Sequence, residues 1–190
     1  MRESFPNVVI SVRQPREGVA LPQVCDEQAD AGPLAGLIAG LAQADTPWVF
    51  AVACDMPFVT TKVIKQLAAY RTKPLRASPS ASIRHADCLL EPLQGRSVRS
   101  LPDKGGLGWV GVQAVVPMVN GHPQPLAAFY ATSALEVMRA SMAAGDKSLR
   151  GMLKKVDVRY VSEAELREYD PQLRSFFDLD TPQDVLAAQT

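Results

Sequence analysis

The sequence WVFAVACD, from Trp48 to Asp55, is the clearest indication of the fold class. Seven apolar residues precede the first polar one, so the stretch lacks a solvent-facing side and predicts a central strand of a helix-covered parallel sheet. Pro57, just beyond it, has no backbone N–H and cannot continue a strand ladder. The Asp55 carboxylate is therefore expected at the carboxyl end of a central strand, which is where open α/β sheets bind their ligands.

The flanking residues continue the alternation of strand and helix. Residues Val8–Val12 are nearly all β-branched and predict a buried strand, whereas the residues between Val12 and Pro33 are interpreted as connections. From Pro33 onward, apolar residues recur with the spacing of one helix face, at Leu34, Leu37, Ile38 and Leu41. A second helix, capped by Thr60 or Thr61, is expected to end near Arg71. Strand, helix and strand in this order predict an α/β fold with a mostly parallel sheet.

The second half of the chain supplies further elements of both kinds. They are strands at Val110–Val116 and Leu126–Tyr130 around a turn at Asn120-Gly121, two helical stripes that break at Gly145, a strand at Val156–Val161, and a final helix from Pro182. Residues 74–108 show no sustained periodicity over a length that exceeds the usual limit of a structureless loop. We therefore predict one domain over residues 1–190, with an irregular insertion or flexible flap at 74–108.

Composition excludes several classes of protein. The 190 residues carry 20 basic and 20 acidic side chains, a balance that argues against a general binder of nucleic acid or of membrane surfaces. The longest apolar run is far shorter than the roughly 20 residues of a membrane helix. Cys25, Cys54 and Cys88 form no C-x-x-C pair, so we expect reduced, buried thiols rather than disulfides. These features predict a soluble, cytoplasmic protein.

Three aspartates are candidates for metal or ligand binding. The Asp55 carboxylate is a hard anion that can hold Mg²⁺, although it could equally cap the turn that it makes with Met56 and Pro57. Asp178 and Asp180 lie two apart in a segment expected to be extended, so their side chains point to the same side and could share a cation or a polar ligand. For Asp180 the alternative is structural, because it stands at a helix start with Thr181 as the N-cap.

The motif Gly32-Pro33-Leu34-Ala35-Gly36 lies where a loop enters a helix. Free N–H groups of the first turn could meet an anion, and glycines allow a ligand to approach the main chain closely. The alternative interpretation is that Gly36 and Gly40 mark close packing of the helix against the sheet.

Four motifs, taken in order, resemble those of the molybdenum cofactor guanylyltransferases. They are Gly32 to Gly36, Ala53-Cys54-Asp55-Met56-Pro57-Phe58, Gln124-Pro125-Leu126 before Tyr130, and Asp180-Thr181-Pro182-Gln183-Asp184. The resemblance covers about Val8 to Val185 apart from the insertion. It implies a Rossmann-like, three-layer nucleotidyltransferase fold and an enzyme that joins the GMP part of GTP to molybdopterin with the help of Mg²⁺.

The same resemblance implies roles for individual residues. Asp55 matches the catalytic, metal-binding aspartate, and Asp178 resembles the second metal aspartate of related nucleotidyltransferases. Asp26 matches an acidic position that contacts the guanine nucleotide, together with the Gly32 to Gly36 motif. Gln124, Pro125 and Asp180 fall on the side that binds the pterin substrate. Other proteins of cofactor biosynthesis are implied as further partners.

The chain departs from the family pattern at its beginning. The family starts with a strand and a glycine-rich phosphate loop, L-A-G-G-x-S-x-R-M-G-x-D-K, and no such segment precedes Val8. We therefore expect an N-terminally truncated fold in which the leaving pyrophosphate is poorly stabilised. Each lost charge-assisted contact costs about 1.5–3 kcal/mol, so the polypeptide is expected to be weakly active or inactive.

Two alternative functions stay open at this stage. One is a non-catalytic module that binds a pterin or a protein partner on this fold, and it predicts no metal-dependent affinity for nucleotides. The other is a nucleotidyltransferase that uses another nucleotide, such as CTP, and a comparison of the four nucleotides would reveal it.

Overall fold

The computed structural model describes residues 5–25, 32–72, 111–179 and 181. Within these ranges the strands are β1 (Ile10–Val12), β2 (Gln23–Cys25), β3 (Trp48–Val52), β4 (Ala114–Val119), β5 (His122–Pro123), β6 (Ala127–Ala131) and β7 (Val158–Val161). The helices are α1 (Gly32–Ala42), α2 (Thr61–Ala69), α3 (Leu135–Ala143), α4 (Leu149–Leu153) and α5 (Glu163–Arg167), with short 3-10 helices at Thr132–Ala134 and Arg174–Phe176. The predicted α/β class is confirmed.

The main sheet has five described strands, and β6 runs against its neighbours. β6 lies between β3 and β4 and pairs with both in antiparallel fashion, whereas β7 pairs with β4 in parallel. β3, β4 and β7 therefore point the same way. The short hairpin strand β5 also runs against β4. A separate two-stranded parallel sheet is formed by β1 and β2.

The expectation of a mostly parallel sheet is wrong for the strand pairs described. The connection from β4 to β6 is short and turns at Asn120 and Gly121, which have φ angles of 51° and 74°. A parallel pair needs a crossover of a dozen or more residues, so this tight turn forces β6 to run back beside β4. Among the described strands β3 pairs only with β6, and all its residues are half-buried. The prediction that β3 is a central strand is therefore also wrong for the described sheet.

Helices cover both faces of the sheet. Alternate residues of β6 face opposite layers: Phe129 packs with α2 and α5, whereas Tyr130 packs with α1, α3 and α4. β4 alternates in the same way between Val115 and Val116. This is the predicted three-layer arrangement, in which the pleat of each strand divides the core into two clusters.

Three strand predictions are corrected in detail. The segment Val8–Val12, predicted to be buried, has half-buried or exposed residues, and Val9 is 42% exposed. Residues 23–25, interpreted as a connection, form β2, which is too short to show a periodic pattern. β4 begins at Ala114 instead of Val110 and continues through Pro117. A proline is tolerated there because it lies between the residues that pair with β6, Ala114 and Val115, and those that pair with β5, Met118 and Val119.

The helix predictions agree closely with the structure. α1 buries Leu34, Leu37 and Leu41, as its spacing predicts. Thr60 is the N-cap of α2, and its hydroxyl accepts a hydrogen bond from the Val63 N–H at 3.3 Å. α3 and α4 are separated at Gly145, whose φ of 82° lies in the region that favours glycine.

The two glycines inside α1 differ in their surroundings. A Cβ on Gly36 would lie 2.5 Å from the Ser11 Oγ and 3.3 Å from its Cβ, whereas a Cβ on Gly40 would meet nothing within 4 Å. The predicted close packing is therefore confirmed for Gly36, which lies against β1. For Gly40 the prediction is wrong.

This difference predicts opposite effects of alanine at the two positions. Gly40→Ala should raise the free energy of unfolding by about 0.4–1 kcal/mol, because alanine lowers the entropy of the unfolded chain. Gly36→Ala should be about 1–3 kcal/mol less stable than Gly40→Ala, because the added methyl group is overpacked against Ser11. Urea denaturation of both variants measures the difference, and equal midpoints would contradict the close contact.

Several predictions lie outside the described residues: the insertion at 74–108, Cys88, and the final helix from Pro182. All described residues except Gly111 belong to one compact unit. No helix in the described ranges is both long enough and apolar enough to cross a bilayer.

Candidate functional site

A tight turn at the carboxyl end of β3 presents Asp55. The Met56 N–H donates to the Ala53 carbonyl at 3.3 Å and closes the turn, with Cys54 and Asp55 at its tip. Met56 is only 5% exposed and anchors the turn in the core, while Pro57 prevents the strand from continuing. The predicted position of Asp55, just beyond the carboxyl end of a sheet strand, is confirmed.

The Asp55 side chain has no role in closing this turn, because the main chain closes it. The side chain is half-buried, and within the described residues its carboxylate accepts no hydrogen bond and forms no ion pair. The turn-capping alternative therefore has no support in the structure. Cys54, its neighbour, is exposed instead of buried as predicted, and so is Cys25, because each stands at the end of a strand instead of inside it.

The segment that contains Asp178 lies directly beside this turn. The Leu179 N–H donates to the Asp55 carbonyl oxygen at 2.9 Å, so a main-chain hydrogen bond joins two segments that are far apart in sequence. Asp178 is exposed. The structure thus brings together the two segments that carry the predicted metal-binding residues.

These two aspartates suit a magnesium ion by number and by chemistry. Mg²⁺ prefers oxygen ligands and is commonly held by one or two carboxylates, with phosphates and water completing the coordination. Within the described residues no group of three or more His, Cys, Asp or Glu side chains could hold a metal ion. A site made from Asp55 and Asp178 would accordingly depend on phosphate oxygens of a bound nucleotide.

The Gln124-Pro125-Leu126 motif also borders the Asp55 turn. The Ala53 N–H donates to the Leu126 carbonyl at 2.9 Å, one residue beyond the end of β3. The Gln124 N–H donates to the Pro117 carbonyl at 2.9 Å, which fixes the start of the motif on β4. Gln124 and Pro125 are half-buried at this edge of the sheet.

A buried tyrosine fixes the middle of the same motif. The Tyr130 hydroxyl donates to the Pro125 carbonyl at 2.7 Å, and its side chain is fully buried. Burial, together with the neighbouring Tyr160, raises the pKa of Tyr130 far above its ordinary value, so the hydroxyl keeps its proton and can donate. The motif alone did not reveal this role for Tyr130. A tyrosine in a strand of small apolar residues was the available signal, since a buried hydroxyl needs a partner.

The Gly32 to Gly36 motif forms the first turn and a half of α1. Gly32 has a φ of 70°, and both Gly32 and Pro33 are exposed, so the main chain of these two residues is accessible. Leu34 is 0% exposed and Ala35 is 7% exposed, which places their side chains in the core. In the described part of the chain no main-chain hydrogen bond links this motif to the Asp55 turn. Asp26 and Asp180, the remaining predicted site residues, lie outside the described residues.

The fold and this edge of the sheet define a class of protein. It is the three-layer α/β domain with a half-buried aspartate just beyond the end of a sheet strand, at the edge where open α/β sheets bind their ligands. The chain belongs to the family described as MobA-like NTP transferase domain, whose model matches residues 1–161.

Individual relatives agree with this membership. The molybdenum cofactor guanylyltransferase of Syntrophotalea carbinolica is 27% identical over 161 residues, which cover 85% of this chain and 60% of that protein. In three curated relatives the chain spans 56% to 60% of the relative's length.

Solved structures show the same fold. Molybdopterin-guanine dinucleotide biosynthesis protein A from Archaeoglobus fulgidus superposes with a TM-score of 0.64 at 24% identity, covering 95% of this chain and 75% of that one. The 2-C-methyl-D-erythritol 4-phosphate cytidylyltransferase from Thermus thermophilus gives a TM-score of 0.54 at 15% identity. The superposition covers 96% of this chain and 80% of that one. The predicted nucleotidyltransferase-like fold is confirmed.

Proposed function

We propose that this chain is a cytoplasmic nucleotidyltransferase that transfers GMP from GTP to molybdopterin, with Mg²⁺ held by Asp55 and Asp178. The observation that carries the proposal is the hydrogen bond from the Leu179 N–H to the Asp55 carbonyl, which keeps the two aspartate segments together. Membership of the MobA-like family supports nucleotidyl transfer, and the names of the relatives support guanylylation of the molybdenum cofactor.

The proposed reaction joins two polyanions. A terminal phosphate oxygen of molybdopterin attacks the α-phosphorus of GTP, and the bond from that phosphorus to the bridging oxygen breaks. The bridging oxygen keeps the electron pair and leaves as part of pyrophosphate. Mg²⁺, when bound, would offset the repulsion between the phosphates and hold them in line.

The residues of the chain bind and orient the two substrates. Asp55, which has no competing partner in the described residues, is available to the metal that accompanies the triphosphate. We place the guanine nucleotide at Asp26 and at the exposed start of α1, where free N–H groups favour an anion. Gln124 and Pro125, held against the Asp55 turn through Leu126, would contact the pterin together with Asp180.

The proposal predicts nucleotide binding that depends on both metal and base. Calorimetry should show GTP binding in the presence of Mg²⁺, at least about tenfold weaker binding of CTP, and loss of GTP binding after chelation of the metal. Incubation with molybdopterin should then release pyrophosphate at a low rate and yield a GMP conjugate. A preference for CTP would identify a cytidylyltransferase instead, and the absence of any metal-dependent affinity would favour a non-catalytic binding module.

A further inference from the structure

Two segments at the edge of the site run past each other in opposite directions, and we call them the clamp: residues 55–60 and residues 174–179. Their contacts follow in antiparallel order. The Leu179 N–H donates to the Asp55 carbonyl at 2.9 Å, the rings of Phe177 and Phe58 lie 6.5 Å apart, and the Thr60 N–H donates to the Ser175 Oγ at 3.3 Å. Contacts at three successive levels set a definite register between the segments.

The inner end of the clamp is a buried polar network. Ser175 is 0% exposed and Asp170 is 9% exposed, although both side chains are polar. The Ser175 N–H donates to Asp170 Oδ2 at 2.7 Å, so Ser175 is bonded to a carboxylate through its main chain and to Thr60 through its hydroxyl. Thr60 is itself the N-cap of α2. Burying a carboxylate is unfavourable unless it is hydrogen-bonded, so this network strongly favours one arrangement of the chain.

The outer end of the clamp carries the proposed metal-binding residues and is more exposed to solvent. There the Leu179 N–H donates to the Asp55 carbonyl, and Asp178 and Phe177 are both exposed. Hydrogen bonds in a buried, satisfied network constrain the chain more strongly than those at an exposed edge. The register at Asp178 therefore depends on contacts further inside, at Ser175 and Asp170.

We propose that Ser175 and Asp170 are positioning residues for the metal site, because they set the register that holds Asp178 beside Asp55. This inference rests on the proposed function for the identity of the ligand. Neither residue needs to touch the metal or the substrates. Both act through the main chain of residues 174–179, by way of Thr60 on the opposite segment.

The test compares serine-to-alanine changes at two positions. Ser175→Ala removes the acceptor of the Thr60 N–H. Ser148→Ala is the matched control, because the Ser148 hydroxyl accepts a hydrogen bond from the Gly151 N–H at 3.1 Å at the start of α4, away from the clamp. The affinity of the full chain for Mn²⁺ in the presence of GTP, measured by electron paramagnetic resonance, should fall about tenfold in Ser175→Ala and stay within about twofold in Ser148→Ala.

A second measurement requires neither metal nor activity. Hydrogen exchange of the Leu179 amide should become about tenfold faster in Ser175→Ala than in Ser148→Ala, because the register that protects it is weakened. At Asp170, asparagine keeps an acceptor for the Ser175 N–H and alanine does not. Asp170→Asn should therefore retain most of the Mn²⁺ affinity that Asp170→Ala loses.

The possible outcomes separate this inference from the proposed function. If the unaltered chain binds Mn²⁺ with GTP, and the Ser175 and Ser148 variants bind it equally well, the positioning role is overturned while the proposed function stands. If the unaltered chain shows no Mn²⁺ affinity with GTP, the proposed function fails and the inference fails with it.

Discussion

Replacing Asp55 by asparagine should reduce the affinity for GTP in the presence of Mg²⁺ to the level measured without the metal. The two side chains have the same shape, so the change removes a negative charge and one carboxylate oxygen without creating a cavity. Asp55 is half-buried, and its carboxylate has no protein partner in the described residues. We therefore expect the substitution to weaken metal binding without breaking a contact within the protein. We expect a loss of several kcal/mol of metal-dependent stabilisation, or roughly 100-fold or more in turnover.

The matched control for this change is Asp157→Asn. Asp157 is exposed and directly precedes β7, which runs parallel to β4 and in the same direction as β3. It therefore lies at the amino end of its strand, on the opposite edge of the sheet from Asp55. Calorimetry should show unchanged GTP binding for Asp157→Asn and no difference with and without Mg²⁺ for Asp55→Asn. Metal-dependent binding that survives in Asp55→Asn would rule out this carboxylate as the ligand.

Replacing Leu34 by alanine should lower the free energy of unfolding by about 2–5 kcal/mol. Leu34 belongs to a motif predicted to bind the nucleotide, but its side chain is 0% exposed and packs in the core between α1 and the sheet. The alanine variant loses the burial of the larger side chain and leaves a cavity. Urea denaturation measures the loss, and the folded fraction should still bind GTP with the affinity of the unaltered chain.

Leu34→Met provides the control for volume. It keeps an apolar side chain of similar size, so the loss in unfolding free energy should be less than about 1.5 kcal/mol. Stability that is unchanged in Leu34→Ala, combined with a loss of GTP affinity, would mean that the leucine side chain contacts the ligand directly.

Features that arise from neighbouring residues were predicted well from the sequence. The spacing of Leu34, Leu37 and Leu41 is a property of a single helix, and the capping by Thr60 needs only the first turn of α2. The Asn120-Gly121 pair determines its turn for the same reason, because both residues tolerate positive φ. The direction of β6 follows from that turn, yet the apolar character of the neighbouring strands pointed to parallel pairing.

The candidate site could be predicted only in part. An aspartate after seven apolar residues indicates the end of a strand, and Asp55 is found there. Its contact with Leu179 joins distant segments, and no periodic pattern encodes such a contact. Ser175 and Asp170 gave no signal either, because a buried serine or aspartate is distinguished from an exposed one only by the partners that the fold supplies.

The position of β6 between β3 and β4 has a consequence for synthesis on the ribosome. Among the described strands β3 pairs with β6, and residues 127–131 emerge roughly 80 residues after β3 itself, about 4–16 seconds later at typical rates of translation. During that interval the apolar sequence WVFAV lacks this partner. Such segments pair readily with other copies, so we expect the nascent chain to depend on chaperones, and slower growth at low temperature to raise the yield of native protein.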